Sequence, residues 1–483
     1  MSVRGARRLH EVTVQAFDAA RLRPLIGPAR MERYERAAHA ARDALAGRVV
    51  FNVNSTASGG GVAEMLPTLL AYARGDGIDA RWLVIDGDPG FFAITKRIHN
   101  GLYGFPGDGG DLGEDERAHY ERVQRRNAEE LSVLVRPGDV VVLHDPQPAG
   151  LAAAARRAGA TVVWRCHVGR DEPNEWTRRA WDFLAPQLAA ADAFVVSRGA
   201  FAPPWADPAR VHVIPPSIDP FASKNAPMSR AHVRRALAYV GLLGGSDGGG
   251  HVPFTRRDGS PGRITRRVDV VQAGPPPPPD APLVVQVSRW DRMKDMAGVM
   301  TGFAEHVDGS LGAHLLLVGP SVTSVADDPE AAAVLGDCLQ LWRRLPHAAR
   351  TRVHLACTPM RDGDEQAAIV NAIQRHATVV VQKSLAEGFG LTVAEAMWKQ
   401  RPIVASAVGG IGDQIADGEH GLLLDDPADL AAFGAAVEHL LRDRDDAARL
   451  ASNARVRATD EYLADRHLER YAALLDALGR GSR

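Results

Sequence analysis

Two carboxylates lie eight residues apart across a glycine-rich turn in the stretch Lys383-Ser384-Leu385-Ala386-Glu387-Gly388-Phe389-Gly390-Leu391-Thr392-Val393-Ala394-Glu395-Ala396. The β-branched run 378–382 before this stretch predicts a buried strand, and the pattern over 391–398 predicts the start of a helix. An open α/β sheet builds ligand sites from such strand–turn–helix units, and free amides at the helix N-terminus attract phosphate. Acidic residues that favour the helix dipole would explain a glutamate in the first turn, but not the Gly-Phe-Gly sequence between the pair.

Short β-branched runs alternate with helical patterns over most of the 483 residues. Such alternation predicts parallel sheets covered by helices on both faces. In the first half of the chain the predicted strands are 48–53, 82–85, 139–143, 161–164, 193–196 and 211–214. In the second half they are 283–287, 314–318, 352–355, 378–382 and 403–405. Two such sets predict an α/β fold with two doubly wound domains.

The domain boundary is expected after the segment 215–220, because its double proline ends the preceding strand. We therefore expect an N-terminal domain over 1–220 and a C-terminal domain over 221–459. The segment 241–282 interrupts the pattern with a glycine triplet and a run of five prolines. We interpret it as a long surface insertion, partly disordered, with a simple linker as the alternative.

Composition excludes several classes of partner. The net charge of −2 argues against nucleic acid, and no apolar stretch is long enough to span a bilayer. The first ten residues contain basic side chains but no apolar run, so no signal peptide is expected. The three cysteines, Cys166, Cys338 and Cys357, lie far apart, form no metal-ligand spacing and fit a reducing cytoplasm.

Two cations follow the first predicted strand of the second domain. Arg289 and Lys294 stand in the sequence Ser-Arg-Trp-Asp-Arg-Met-Lys-Asp over 288–295. Cations at that point could neutralise a diphosphate and stabilise it as a leaving group. Surface cations are the commoner fate of arginine and lysine. In the first domain the glycine loop 52–64, with Gly60 and Gly61, lets the backbone approach a ligand closely, although a plain strand-to-helix turn remains the alternative.

Histidines and acidic residues follow other strands of the first domain. His144 and His167 fall at the ends of successive strands. A nucleophilic pair of Cys166 and His167 is not expected, because neighbouring side chains on a strand face opposite ways. The sequence Asp86-Gly87-Asp88 imitates a D-x-D metal motif, but helix amides and cations already serve a diphosphate. We therefore expect no metal there.

The pair Glu387 and Glu395, with Ser384, Gly388 and Gly390, resembles the E-x7-E motif of retaining nucleotide-sugar glycosyltransferases of the GT-B fold, family 4. The resemblance implies two Rossmann-like doubly wound domains that face a central cleft. It also implies that a C-terminal helix at about 460–483 completes the N-terminal domain. Carried over, Glu387 contacts the donor hexose and Glu395 the ribose. The other implied donor-site residues are Arg289, Lys294, His144, Gly60, Gly61, Gly388, Phe389, Gly390, Leu391 and Met360.

A narrower resemblance rests on the loop 54–64, the runs 77–82 and 144–147, and the segment 216–220. These stretches are similar to the trehalose glycosyltransferring synthases, which join a nucleotide-activated glucose to free glucose. The resemblance covers about residues 48–415. It implies a cytoplasmic enzyme that makes α,α-trehalose with retention from NDP-glucose, with UDP-glucose or ADP-glucose as the expected donor. The implied acceptor contacts are Asp86, Lys96, His99, Asn100 and His167. No cofactor and no essential metal are expected, and a homodimer is one assembly left open.

Three alternatives stay open. The first is the same fold with another acceptor, such as a sugar phosphate or a secondary metabolite. The second is a dinucleotide-dependent oxidoreductase, which the missing G-x-G-x-x-G disfavours. The third is a sugar-nucleotide sensor without catalytic activity, which the presence of Glu387, Arg289 and Lys294 disfavours.

Overall fold

The computed structural model of the protein describes residues 9–57, 60–246, 248–322 and 330–481. The chain divides into two compact units. The first unit comprises residues 1–217 and 464–483, and the second comprises residues 218–463. Ser58 and Gly59 of the predicted glycine loop lie outside the described residues.

The first unit is built on a seven-stranded sheet in the order β1-β3-β2-β4-β5-β6-β7. Its strands are β1 (His10–Val12), β2 (Val49–Asn54), β3 (Asp79–Val84), β4 (Val140–His144), β5 (Thr161–Cys166), β6 (Ala193–Val196) and β7 (Val211–Val213). Its helices up to the boundary are α1 (Arg23–Ile26), α2 (Pro28–Ala44), α3 (Gly61–Gly75), α4 (Pro89–Leu102), α5 (Glu114–Leu134), α6 (Ala152–Arg157) and α7 (Glu175–Leu188). All strands are parallel except β1, which runs antiparallel to β3.

The second unit has its own seven-stranded sheet, in the order β10-β13-β12-β11-β14-β15-β16. Its strands are β8 (Val252–Thr255), β9 (Pro261–Ile264), β10 (Asp269–Val271), β11 (Leu283–Val287), β12 (His314–Pro320), β13 (Val353–Thr358), β14 (Val379–Gln382), β15 (Ile403–Ser406) and β16 (Leu422–Leu424). Its helices are α8 (Arg230–Val240), α9 (Met296–His306), α10 (Ala331–Arg344), α11 (His347–Arg350), α12 (Gly363–His376), α13 (Leu391–Trp398), α14 (Gly410–Gln414), α15 (Leu430–Arg442) and α16 (Arg444–Glu461).

The central strands of both sheets are buried along their whole length. Every residue of β4, β11 and β14 is buried. Strands covered by helices on both faces need such continuous apolar runs, which is why the β-branched pattern predicts them well. The prediction of an α/β fold with two doubly wound sheets is confirmed.

The segment 241–282 is more ordered than the sequence predicts. Strands β8 and β9 form an antiparallel hairpin, and β10 pairs with β13 at the edge of the main sheet. The hairpin is fixed to the start of α12, because Nη1 and Nη2 of Arg256 donate to the Asp362 carboxylate at 3.0 and 2.6 Å. Over 252–271 the segment therefore contains three short strands where a partly disordered insertion or a simple linker was expected. The glycine and proline residues around the strands hid their short alternating pattern.

The last helix, α17 (Ala464–Gly481), belongs to the first unit. It packs along α2, where Arg30 Nη2 donates to Asp465 Oδ1 at 2.9 Å. Both side chains are buried, so the ion pair fixes how the C-terminal helix lies against α2. Over the described ranges, none of the helices combines the length and the apolar character that crossing a membrane requires.

Candidate active site

The second unit places two loops side by side at the point where its sheet changes direction. Strands β11 and β14 are parallel neighbours, and the strands that follow each of them extend to opposite sides. Such a switch point opens a crevice at the carboxyl ends of the strands, where ligands bind in open α/β sheets. The loop after β11 contains Lys294 and the loop after β14 contains Glu387. Leu385 N donates to Met293 O at 2.8 Å and joins the two loops.

Lys294 and Glu387 form an ion pair at this switch point. Lys294 Nζ donates to Glu387 Oε2 at 2.6 Å. Ser384 Oγ donates to the same carboxylate oxygen at 3.3 Å. Charge-assisted hydrogen bonds of this length are among the stronger ones in proteins, and the pair is largely shielded from solvent. Two residues that the sequence places 93 positions apart are therefore brought into direct contact.

Arg289 is held by a neighbouring carboxylate of the same loop. Its Nη2 lies 3.0 Å from Asp291 Oδ2. Asp291 is buried, and its other oxygen accepts from Met293 N at 2.8 Å. Asp291 therefore orients the arginine and caps the short helical turn that carries Lys294. Sequence reasoning passed over Asp291, although an aspartate immediately before a helical turn is a recognisable capping signal.

A second, fully buried lysine supports the same two loops. Lys383 Nζ binds the Asp295 carboxylate and also donates to Pro427 O at 2.5 Å. Asp295 has a left-handed backbone with φ of 45° and caps α9 through Gly298 N at 3.0 Å. Because Lys383 is 1% exposed, it fixes the loops rather than offering its charge to a ligand. The sequence gives no signal for this role, since Lys383 and Asp295 are 88 residues apart.

The glycines of the motif turn are required by close backbone packing. Gly390 has φ of 91° and precedes α13, and among the described residues no side chain caps that helix. Gly410 N donates to Gly388 O at 3.3 Å. A Cβ atom on Gly410 would lie 2.7 Å from Phe389 Cα, so only glycine allows α14 to approach the turn this closely. Backbone packing within the second unit therefore sets the shape of the turn.

Glu395 lies one turn inside α13 and is buried. Its Oε1 lies 3.2 Å from Nζ of Lys224, in the segment that opens the second unit. Lys399, the residue that follows α13, is also buried and donates to Gln374 Oε1 at 2.6 Å. Burial lowers the pKa of Lys399 to about 7, and the nearby charge of Glu395 opposes that shift. Lys224 was not identified from the sequence, because helical spacing alone does not reveal a partner 171 residues away (395 − 224).

The remaining donor-site candidates lie at the carboxyl edge of the same sheet. Met360 is half-buried in the loop between β13 and α12. Leu391 is the first residue of α13, and Phe389 packs edge-on against Tyr462 with ring centroids 5.5 Å apart. The structure therefore gathers the predicted residues of the second unit along one edge of one sheet.

In the first unit His144 also lies at a switch point. His144 is the last residue of β4, and the neighbouring parallel strand β2 contains Asn52. His144 Nε2 is 3.0 Å from Asn52 Oδ1, and its Nδ1 is 3.1 Å from His167 Nε2. Burial, with the charge of Arg165 adding to it, lowers the pKa of His144 to about 3. The imidazole is therefore neutral, with Nε2–H donating to Asn52 and Nδ1 accepting from His167.

The loop after β5 places His167 on top of His144. Their rings are stacked with centroids 5.4 Å apart. Asp145 has φ of 64° and accepts from His167 N at 2.7 Å. Burial and the charge of Arg165 also lower the pKa of His167 well below its ordinary value. Cys166 donates to Val168 O at 3.1 Å, and burial raises the pKa of its thiol, so it does not act as a thiolate nucleophile.

Four of the five predicted acceptor residues lie on or before α4, and the fifth is His167. Lys96 and His99 are half-buried on the helix, and Asn100 is buried. Asp86 precedes the helix, and its backbone N and O bind the side chain of Asn127 at 3.0 and 2.9 Å. Asp88 of the D-x-D sequence caps α4 through Phe91 N and binds His119 at 2.8 Å. Helix capping therefore accounts for the second aspartate of that sequence.

The described part of the glycine loop shows the predicted turn into a helix. Gly60 has φ of 93°, and Gly61 is the first residue of α3. The backbone amides of that first turn point toward the carboxyl edge of the first sheet, as a helix that follows a parallel strand does. A contact of this loop with a diphosphate remains a prediction.

Two parts of the chain match known families of sequences. Residues 52–203 match the family described as "Trehalose synthase, N-terminal domain". Residues 352–457 match the family described as "Glycosyl transferases group 1". The first match contains His144, His167 and the predicted acceptor residues, and the second contains Glu387 and Glu395.

Whole proteins are similar over nearly the full chain. A trehalose synthase of Pyrococcus horikoshii is 32% identical over 435 residues, which cover 90% of this chain and 91% of that protein. A trehalose synthase of Rubrobacter xylanophilus is 34% identical over 432 residues, with 88% and 90% covered. The crystal structure of an α,α-trehalose-phosphate synthase from Burkholderia xenovorans, in complex with glucose 6-phosphate, has a TM-score of 0.64 at 16% identity, and 89% of this chain and 100% of that chain are covered. This last likeness shows the GT-B fold.

Proposed function

This chain belongs to the trehalose synthase family, within the GT-B glycosyltransferases, and from that premise we propose that it transfers glucose from NDP-glucose to free glucose. The product is α,α-trehalose, formed with retention at the donor anomeric carbon. Family membership supports a hexosyltransferase acting in trehalose chemistry. The identities of the donor and the acceptor and the stereochemistry of the transfer are proposed here beyond what family membership supports.

The observation that carries the proposal is the ion pair of Lys294 and Glu387 at the switch point of the second unit. A diphosphate leaving group needs cations where its negative charge develops. Lys294 and Arg289 follow β11 and supply two such cations. Glu387 offers carboxylate oxygens that accept hydrogen bonds from sugar hydroxyls. When a donor binds, the Lys294 ammonium can turn from Glu387 to the phosphate while the carboxylate takes the hydroxyls.

The proposed chemistry is a displacement on one face of the sugar. The bond from the donor anomeric carbon to the diphosphate oxygen breaks, and the acceptor oxygen bonds to the same face of that carbon. The acceptor proton passes to the leaving diphosphate, so no protein carboxylate needs to act as nucleophile or general base. Rate acceleration then comes from positioning and from stabilising the leaving group.

The neutral histidines of the first unit suit a neutral sugar. His144 and His167 are held uncharged by burial and by Arg165. We assign His144 to hydroxyls of the transferred sugar and place the acceptor contacts at Asp86, Lys96, His99, Asn100 and His167. Glu395 is assigned to the ribose of a UDP or ADP donor, with base contacts near Met360 and Leu391. Neither a cofactor nor an essential metal enters this scheme. The proposed compartment is the cytoplasm, in keeping with the free cysteines Cys166, Cys338 and Cys357.

A second candidate is the same transfer to a phosphorylated acceptor. The solved relative from Burkholderia xenovorans binds glucose 6-phosphate, and the lysine on α4 could serve a phosphate as well as a hydroxyl. The two candidates differ only in the acceptor, so one assay separates them.

The test is an activity panel. Purified protein is mixed with UDP-, ADP- or GDP-glucose and with glucose, glucose 6-phosphate or no acceptor, while NDP release and disaccharide are followed by NMR. Trehalose from free glucose with an α,α linkage supports the proposal. Turnover only with glucose 6-phosphate replaces it by the second candidate, and NDP binding without any turnover would point to a sensor.

The same assay tests the role of Glu387. Glu387→Gln keeps the shape of the side chain and removes its charge, so NDP affinity should stay within a few-fold of wild type while turnover falls by ~100-fold or more. Near-normal turnover would remove Glu387 from the reacting centre.

A further inference from the structure

The first unit has a second concave surface, at the end of its sheet opposite to His144. It is a cleft of about 480 Å³ at the amino ends of β2 and β3. The loop after α2 and the loop between α5 and β4 form its other walls. Its charged lining consists of Arg42, Arg48, Arg81, Arg136, Asp43 and Asp79. Clefts of this volume accommodate small-molecule ligands.

Two of the four arginines are neutralised within the cleft. Arg81 binds Asp79 through two parallel contacts, from Nε at 3.1 Å and from Nη2 at 2.9 Å. Arg42 Nε lies 3.5 Å from Asp43 Oδ1. Both acidic side chains that line the cleft are therefore already paired, Asp79 with Arg81 and Asp43 with Arg42.

The guanidinium groups of Arg48 and Arg136 form no ion pair with any residue that the structure describes. The nearest buried carboxylate along the chain, Asp139, is committed to backbone, since it accepts from Val49 N and from Arg136 N at 2.8 Å each. Two positive charges therefore remain available in one small cleft.

We propose that this cleft binds a small phosphorylated molecule through Arg48 and Arg136. A guanidinium offers paired donors that match two oxygens of one phosphate group, which makes arginine the preferred partner of phosphate esters. The overall net charge of −2 gives the protein no general attraction for polyanions, which favours a small ligand over a long polyanion.

The site is separate from the proposed catalytic residues. Ligands in parallel α/β sheets that undergo reaction sit at the carboxyl ends of the strands, and this cleft lies at the amino ends of β2 and β3. The inference does not rest on the proposed transfer reaction. It needs only the cleft and its charges.

A competing explanation is that the two arginines merely complement helix ends. They follow the C-termini of α2 and α5, where cations are favoured by the helix dipole. That explanation predicts an effect on stability alone, whereas the proposal predicts an effect on phosphate binding.

The experiment is a calorimetric titration with inorganic pyrophosphate at 50 and 200 mM NaCl. Wild-type protein is compared with Arg48→Gln/Arg136→Gln and with the matched control Arg125→Gln/Arg126→Gln, which removes the same charge from exposed positions of α5. Because pyrophosphate also resembles the donor diphosphate, Lys294→Met is titrated as well to identify the binding event at the donor site.

The proposal expects Arg48→Gln/Arg136→Gln to lose one binding equivalent, or to bind it at least ~10-fold more weakly, while the control matches wild type. Lys294→Met must retain the binding equivalent that Arg48→Gln/Arg136→Gln loses. Equal affinities and stoichiometries in the wild type and Arg48→Gln/Arg136→Gln overturn the proposal, and a fall in Tm without any change in binding assigns the arginines to the helix ends.

Discussion

Removing Lys294 should destabilise the second unit, and removing Glu387 as well should restore much of that stability without restoring activity. In Lys294→Met the apolar stem is kept and the ammonium is lost. Glu387 then keeps its negative charge with only 10% of its side chain exposed, and its remaining hydrogen bond comes from Ser384 at 3.3 Å. An uncompensated charge in such a place is costly.

The magnitude follows from the burial of the pair. Breaking a buried pair by removing one partner costs about 3–5 kcal/mol, and the small exposure of both side chains places this case near the lower end, at about 3 kcal/mol. For a cooperative unit of this size that corresponds to a fall in Tm of about 6 °C. Adding Glu387→Gln removes the stranded charge and should recover about two thirds of the loss, since a neutral amide costs less to bury.

The assay combines calorimetric Tm with NDP release. Arg292→Met is the matched control, because Arg292 lies two residues from Lys294. Its Nη2 lies 3.6 Å from Asp337 Oδ2, and both of these side chains are exposed. Exposed pairs contribute about 0–1 kcal/mol, so this variant should keep both Tm and turnover. Lys294→Met should lose turnover by ~100-fold or more, and the double variant should be equally inactive although more stable.

Two results would refute this reasoning. A double variant that is as unstable as Lys294→Met would mean that the stranded carboxylate is not the cause of the loss. A Lys294→Met variant with only a few-fold loss of turnover would mean that its ammonium does not assist the leaving group.

Three further predictions concern other parts of the two units. Gly410→Ala should raise the donor KM by ~10-fold, since its Cβ would lie 2.7 Å from Phe389 Cα, whereas Gly412→Ala, with open space around it, should behave as wild type; equal kinetics would contradict the packing argument. Lys224→Met should also raise the donor KM by ~10-fold with kcat little changed, because it removes the cation that pairs with Glu395. An unchanged KM would mean that Glu395 does not contact the donor. Burial lowers the pKa of His144 to about 3 in the folded protein, below its unfolded value, so the contribution of the neutral imidazole to the unfolding free energy is complete above about pH 6.5 and is lost as pH falls toward 3. Lowering the pH from 7.5 to 5 should therefore reduce the unfolding free energy by about 2 kcal/mol. A series of denaturation curves should show that the unfolding free energy of His144→Gln depends less steeply on pH.

The fold was accessible from the sequence because most of its strands are buried on both faces. Each predicted strand has a counterpart in the two sheets. The strands that were missed are β1, β8, β9, β10 and β16, which have only three or four residues each and lie at sheet edges or in the hairpin. Edge strands lack the continuous apolar run that marks a central strand, so local pattern carries little information about them.

Residues of the candidate site could be predicted from the sequence only where they end or follow strands. His144 ends a β-branched run, and Lys294 and Glu387 lie in the loops that follow two such runs, so their places at the carboxyl edges of the sheets could be predicted. Their partners could not be found in this way. Asn52 lies inside a strand, and Lys224 belongs to a segment without regular structure, so only the folded arrangement shows what they contact.

The two switch points differ in charge, and this difference bears on what each can bind. In the second unit the loops after β11 and β14 hold ionised side chains whose mutual neutralisation can be exchanged for a bound anion. In the first unit the histidines at the end of β4 are kept neutral, so they offer hydrogen bonds without attracting charge. A diphosphate and an uncharged sugar need these two environments respectively. Under the proposed function, a charge reversal at the switch point of the second unit should therefore impair diphosphate binding more than sugar binding.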